Sequence, residues 1–476
     1  MYMLLMFYVV VVDAALVFDL NHQMVFDHLK NQVALPGMLP VVEQREQTNS
    51  LMLRFNPSFQ VFEKAEPIKT GWFVISTPPW ENFYVFEKTP YLAEFRLDLN
   101  FGSFYTLISL QMKNNYAFFH LISPTNLPIY ENPFVALDTN FPYKGYGVYL
   151  KDEFFILFGR TKLRWSSSDF PVALSDVSPY FDNFTLSLGE KPVRYVFSVV
   201  SINPVLTKEE WERQTSFIPV NADPISPYFE KVKTLIAHRL DFPLKDNLRF
   251  GIGELTIVGG KYPDLFVLSP FAIWHNNFNE GYTNTMGSLD FSWVLIKGFE
   301  IHGEFALDEF VFEATEDESK PTAYGYNFGA RKAFETGFGK FLLSVEYAKT
   351  TPLMYNSFLP YLKFYNRVVY LCNYPPSRII VDYPIGFAFG PDAQILNFSV
   401  SFFNDQLFLS GNIFWLRKGP NDFYTEYPHV DESKAKDILG FSIEGKYKFF
   451  NFFAMVAGEK FSIGGGISVE IPLKIF

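Results

Sequence analysis

The stretch Met286–Phe310, MGSLDFSWVLIKGFEIHGEFALDEF, holds two runs of alternating residues with little more than Lys297-Gly298 between them. In the first run, Leu289, Phe291, Trp293 and Leu295 fall on one side, and Ser288, Asp290 and Ser292 on the other. In the second, Phe299, Ile301, Gly303, Phe305 and Leu307 share a face, with Glu300, His302, Glu304 and Asp308 on its reverse. A period of two marks a β-strand whose two faces meet different surroundings. The fold therefore turns on whether the apolar faces meet a protein core or a lipid bilayer.

Composition favours the bilayer. The chain has 476 residues, enough for two or three ordinary domains or for one large barrel. Its 56 Phe and 27 Tyr bring aromatic residues to 19%, more than a soluble core of this size needs. Hydrophobic content is nevertheless only 48% and mean hydropathy +0.04, which excludes a bundle of transmembrane helices. Past the N-terminus there is no apolar run of the ~18 residues that a spanning helix requires. Heavy aromatic use, average hydropathy and alternation together fit strands that are apolar outside and polar inside a membrane barrel. The formal charge of −11 argues against nucleic acid as a partner. Cys372, in a loop-like setting before Pro375-Pro376, is the sole cysteine, so no intrachain disulfide or Cys-based metal site is available.

Residues 1–14 read as a signal peptide: Met1–Val12 is continuously apolar, and Val12-Asp13-Ala14 supplies small residues for cleavage after Ala14. Residues 15–50 form an N-terminal extension or a plug. Within them Val25, Phe26, Leu29 and Val33 have helical spacing over His22–Ala34, and Pro36-Gly37 ends the run. Lying inside or beneath a barrel and trailing free are both consistent with this pattern.

From residue 51 to 476 the chain reads as barrel. Short candidates at Trp72–Ser76 and Phe83–Glu87 precede clear alternation from Tyr91, and Tyr116–Ile122 follows. Thr207-Lys208-Glu209-Glu210 reads as a helix start with Glu210 in the capping-box position. Turns such as Asn404-Asp405-Gln406 alternate with excursions as long as Thr351–Ala393, read as loop. Short turns at one end and long loops at the other are expected of an outer-membrane barrel. The expectation is thus an all-β fold, a transmembrane antiparallel β-barrel of about 16–18 strands with a small N-terminal helical segment. The terminal aromatic, Phe476, suits recognition by the outer-membrane barrel assembly machinery, although it shares parity with Glu470 and Lys474 rather than with the apolar side.

Chemistry is sparse. Glu300, His302 and Glu304 stand about 7 Å apart along one strand face, spacing that suits a metal or acid–base site only if a partner strand converges on it. Together with Glu94, Arg96 and Asp98, they read as lumen lining. His-Glu-x-x-His, Gly-x-Ser-x-Gly and Gly-x-Gly-x-x-Gly are all missing, so neither an enzyme nor a cofactor is expected. Ala237–Asn277 is the most distinctive region. Arg239 and Glu254 break its strand pattern, and a charge pair between them across adjacent strands would explain both. Trp274, His275 and Asn276, like Trp165 beside Ser166–Asp169, combine a planar aromatic with hydrogen-bonding groups as a sugar site would; strand-end Trp in an interfacial girdle is the plainer reading.

His238-Arg239-Leu240, Gly251-Ile252-Gly253-Glu254 and Pro270-Phe271 resemble, in their order, the Wzi-like capsule-assembly family of outer-membrane barrels. Phe158-Gly159-Arg160, Leu174-Ser175-Asp176 and Pro179-Tyr180-Phe181-Asp182 are similar to the same family, and together these blocks cover about a quarter of the chain. The resemblance implies an 18-stranded barrel, an N-terminal helical plug and a role in holding surface polysaccharide. The leading expectation is accordingly an outer-membrane barrel that contacts membrane lipid and binds or organises capsular polysaccharide. A general diffusion porin for small hydrophilic solutes is the alternative, and a secreted carbohydrate-binding sandwich a third. Oligomeric state is left open.

Overall fold

The computed structural model describes residues 18–40, 49–62, 73–75, 91–112, 144–216, 229–271, 283–309, 322–373 and 376–474. Residues 1–14, the strand candidates at 83–87 and 116–122, and Phe476 lie outside them.

The chain runs from a helix, α1 (Phe18–Lys30), through a short strand, β1 (Met38–Pro40), into a barrel wall. The first wall strand is split into β2 (Ser50–Phe55) and β3 (Ser58–Phe62) around Asn56-Pro57, where proline has no N–H to give the ladder. β4 (Phe73–Ile75) leaves the wall. The wall resumes with β5 (Ala93–Phe101), β6 (Phe104–Met112), β7 (Lys144–Lys151) and β8 (Phe154–Thr161). β9 (Leu163–Trp165) then turns away to pair with β1.

Next come β10 (Phe181–Leu188), β11 (Arg194–Ile202), helix α2 (Lys208–Ser216), β12 (Lys233–Lys245) and β13 (Leu248–Gly259). β14 (Thr283–Ile296), β15 (Phe299–Glu309), β16 (Ala323–Thr336) and β17 (Gly339–Thr350) continue the wall. A hairpin of β18 (Tyr365–Asn373) and β19 (Pro376–Pro384) joins β4 in a separate three-stranded sheet. β20 (Ala393–Phe403), β21 (Leu407–Lys418), β22 (Lys436–Tyr447) and β23 (Phe450–Ala457) lead to a last strand, split at Ser468 into β24 (Lys460–Ile467) and β25 (Val469–Lys474). β2 pairs with both β25 and β5, which closes the ring. Twenty strand segments make that ring, and two of its strands are split, leaving eighteen among the described residues.

Both faces follow the alternation. In β15, Glu300, His302, Glu304 and Asp308 point inward and are buried, while Phe305 on the outer face is 40% exposed. The outer face carries a belt of exposed large apolar residues, among them Leu289, Trp293, Phe328, Val345, Phe398 and Ile413. Links at one end are two-residue turns such as Lys297-Gly298 and Gly337-Phe338; at the other end the chain makes excursions such as 203–232 and 351–392. Gly298 has φ of 78°, and a Cβ there would meet the Ala333 carbonyl at 2.5 Å, so this tight turn requires glycine.

Two local expectations change. The helix lies at Phe18–Lys30 rather than His22–Ala34, because Gln32 turns left-handed (φ 55°) and the Val33 N–H closes back on the His28 carbonyl at 2.9 Å. The stretch read as loop at 351–393 contains the β18–β19 hairpin, which puts Cys372 on a strand. Val368-Val369 and Ile379-Ile380-Val381 are continuous rather than alternating, so a search for period two passes over them.

Candidate functional site: a filled lumen and its outer rim

The inward residues of β15–β17 do not line open water. Residues 166–180 fold against them, and the wall carboxylates hold that segment by its backbone. Glu346 accepts from the amides of Asp169 and Phe170, both at 2.9 Å, and from the Ser168 hydroxyl. Glu304 accepts from the amides of Val172 (2.8 Å) and Ala173 (3.0 Å) and from the Asn327 side chain (3.0 Å). Asp308 takes the Tyr355 amide at 2.6 Å, which fixes a second internal segment, 351–364. The Tyr355 hydroxyl donates to the Val172 carbonyl at 2.5 Å, so the two internal segments also hold each other, and the Ser175 amide donates to the Ile385 carbonyl beyond β19. Val172, Leu174, Met354, Phe364, Phe387 and Phe389 pack with inward wall residues into one core.

His302 sits in the middle of this arrangement, fully buried. Its Nε2 lies 3.0 Å from Glu346 and its Nδ1 3.7 Å from Glu300. Arg331 pairs with Glu300 at 3.2 Å and with Asp169 of the internal segment at 2.7 Å. Every strong acceptor near His302 thus already serves the packing of the interior.

Arg239 and Glu254 part company. Cα pairing sets Arg239 opposite Gly253 and His238 opposite Glu254, so the two expected partners point to opposite faces of the wall. Arg239 faces inward and pairs with Asp241 at 2.7 Å and Asp290 at 2.6 Å. Arg249 joins the same two carboxylates and donates to the Leu35 carbonyl at 2.7 Å, fixing the N-terminal segment within the barrel. Gly37, Gly251 and Gly253 are crowded by Arg239, Arg249 and Trp165, and a side chain at any of the three would collide with them. The expected Arg239–Glu254 pair is therefore corrected.

Trp165 is corrected too. It lies on β9 inside the barrel, 1% exposed, with the Arg239 guanidinium 5.4 Å from its ring, and is neither a sugar platform nor a girdle residue. Trp274, His275 and Asn276 lie outside the described residues. Glu94, Arg96 and Asp98 face inward and are buried. Arg54 reaches Glu94 at 2.6 Å, and Arg96 reaches Asp98 at 2.7 Å.

The long-loop end is organised by Arg367 on β18, which the sequence reading did not single out. Its guanidinium meets Asp382 of β19 through two bonds of 2.7 Å and Glu210 of α2 through bonds of 2.7 and 2.9 Å. A further bond of 2.7 Å goes to the Val205 carbonyl, and Tyr424 donates to Asp382 at 2.8 Å. One buried cation thereby ties three external excursions together. Thr207 and Glu210 form the expected capping box, each side chain taking the other's amide at 3.2 and 2.9 Å. Burial alone would raise the Glu210 carboxyl, but the Arg367 charge and these donors outweigh it and hold it below its ordinary value. On the exposed side of α2, Trp211 lies 6.5 Å from Phe229, and the Lys231 ammonium sits 5.5 Å from the indole.

No family model matches the sequence, and no curated protein matches it. Solved structures do. Wzi, described as an outer membrane protein involved in group 1 capsule assembly in Escherichia coli and as a carbohydrate-binding β-barrel, aligns over 96% of this chain and 98% of its own, with TM-score 0.59 and 12% identity. The chain is an outer-membrane β-barrel. OprD from Pseudomonas aeruginosa aligns over 92% of this chain and 98% of its own, with TM-score 0.43 and 9% identity. OccK5 (OpdH) of the same organism covers 90% and 98%, with TM-score 0.41 and 10% identity. At these identities the likeness is one of fold.

Proposed function

We propose that this barrel binds or organises surface polysaccharide at its external rim, as a Wzi-like protein, rather than conducting solutes. The filled lumen carries this reading: Glu304, Asp308 and Glu346 spend their acceptor capacity on the backbone of segments packed across the interior. A general diffusion porin needs a continuous aqueous path, and the packed core around Val172, Tyr355 and Phe387 stands in that path. What the external end offers is a rigid surface braced by Arg367, with Trp211, Phe229 and Lys231 exposed in part upon it. Aromatic faces suit the apolar faces of sugar rings, and a lysine beside them suits hydroxyls or acidic substituents.

Two measurements test the reading. In planar bilayers the purified chain is expected to be silent; large steady openings would favour the porin alternative. In cells, deletion is expected to release polysaccharide from the surface into the medium, and Trp211→Ala to do so partially at unchanged barrel abundance. Unchanged cell-associated glycan after deletion would sink the proposal.

A further inference from the structure

On β12, β13 and β14 the outer face of the wall departs from its apolar rule. His238, Glu254, Thr256 and Thr285 point outward from β12, β13 and β14, whereas further along β14 and on β15 the same face presents Leu289, Trp293 and Phe305. Glu254 stands roughly seven residues above the short turn at Asp246-Asn247, or ~18 Å for tilted strands, within the ~25 Å apolar band of such barrels. A carboxylate and an imidazole presented to lipid at that depth would be costly. Yet His238 is 5% exposed and Glu254 7%.

Beside His238 lie residues 261–271, which follow β13 and fold back over the outside of the barrel. Val267 and Leu268 pack on Phe197, Ile236 and Val258 of the outer wall. The Tyr195 hydroxyl contacts His238 Nδ1 at 2.8 Å and donates to the Pro270 carbonyl. The segment also satisfies much of its own backbone: the Leu268 amide bonds to Asp264, that of Ser269 to Phe266, and that of Phe271 to the Ser269 hydroxyl. Internal satisfaction of this kind is what the hydrocarbon layer demands of any non-strand element. The far side of the segment is apolar, with Tyr262, Leu265, Phe266 and Phe271 66%, 88%, 70% and 82% exposed.

We propose that residues 261–271 form a flap immersed in the outer leaflet, which seals a polar window in the wall and presents Leu265, Phe266 and Phe271 to lipid acyl chains. Acyl chains are the occupant because the flap continues the lipid-facing belt of the same wall and carries apolar groups outward while covering polar ones. Lys261 and Asp264, paired at 2.9 Å, lie where the chain leaves β13 and mark the headgroup side.

The test uses the full chain refolded into phospholipid vesicles, with Cys372→Ser as background and a nitroxide attached at Leu265→Cys or Phe266→Cys. Ile413→Cys on the bare wall serves as the lipid reference and Glu432→Cys in the 419–435 excursion as the aqueous one. The expected result is collision with molecular oxygen several-fold above collision with a water-soluble nickel chelate, as at position 413. Chelate accessibility matching position 432 would overturn the proposal, placing the flap in water. Dipolar broadening between labels that disappears on dilution with unlabelled chain would overturn it too, showing a second copy as the occupant. Heat-modifiable migration of each variant on gels confirms that the barrel has formed.

Discussion

Glu346 shows at one residue how this interior is held. Its carboxylate serves two backbone amides and the Ser168 hydroxyl, and it contacts His302. Glu346→Ala leaves the Asp169 and Phe170 amides buried without that acceptor, at about 1–3 kcal/mol each. The expected outcome is a ten-fold or greater rise in amide hydrogen exchange across 166–175, with exchange in β12 and β13 unchanged; protection equal to that of the parent would mean the segment is held by packing alone. Parity in the sequence was enough to put Glu300, His302 and Glu304 on the inner face. It could not reveal their partners, because Asp169, Arg331 and Glu346 lie far along the chain and meet only when the ring closes. The same limit explains Arg239 and Glu254. Both looked like polar intrusions in a strand pattern, and only the pairing of His238 with Glu254 shows that they occupy opposite faces. Trp165 misled for a related reason: an aromatic beside serines resembles a sugar site until the chain around it is seen to turn into the barrel.

Among elements, α1 and the Arg367-braced excursions are held at the two ends by different means. α1 lies at the short-turn end, where the Leu29 carbonyl takes the Gly298 amide at 2.7 Å. Phe26, 1% exposed, meets Phe403 edge-on at 5.7 Å with the Lys340 ammonium 5.4 Å from its ring. Phe26→Ala removes about 3–5 kcal/mol of burial from a helix of thirteen residues, more than so short a helix supplies on its own. Limited proteolysis from the periplasmic side is expected to cut within 18–40 in this variant while the barrel keeps its heat-modifiable band. At the other end, Glu210 is held below its ordinary pKa by Arg367. A depressed carboxylate contributes stability above its unfolded pKa of about 4.3 and loses it as pH falls through the lower folded value. Protease accessibility of 203–216 is therefore expected to rise below about pH 4, and Glu210→Gln to raise it already at neutral pH; a pH-independent pattern would remove Arg367–Glu210 as the brace. The helix start was legible from Thr207 and Glu210 because a capping box is local. The β18–β19 hairpin was not, because its apolar runs suit a sheet outside the membrane wall and lack the alternation that wall strands display.

For the whole molecule, eighteen strands are enough to enclose an aqueous channel, and among the described residues the inserts pack across that interior. Alternation, aromatic excess and asymmetric links made the ring readable, since lipid outside and polar groups inside repeat the same constraint on every strand. Whether the interior is filled was not readable, because the segments packed there, 166–180, 351–364 and 385–392, have no periodicity of their own and take their shape from the wall. The wall and the inserts can be separated by experiment. Replacing 167–179 and 353–391 by short Gly-Ser links removes the partners of Glu304, Asp308 and Glu346 and should leave inward side chains facing water. Six carboxylates on β12, β14, β15 and β17 (Asp241, Asp290, Glu300, Glu304, Asp308 and Glu346) then face four cations of the same stretch of wall, Lys233, Arg239, Arg249 and Arg331. An excess of fixed negative charge favours cations in a pore. The doubly shortened barrel is therefore expected to give steady, cation-selective openings in planar bilayers where the parent is silent, with selectivity that weakens as salt is raised toward ~1 M and screening shortens to ~3 Å. Silence from a correctly folded, doubly shortened barrel would show that the N-terminal segment held by Arg249 is itself sufficient to close the ring.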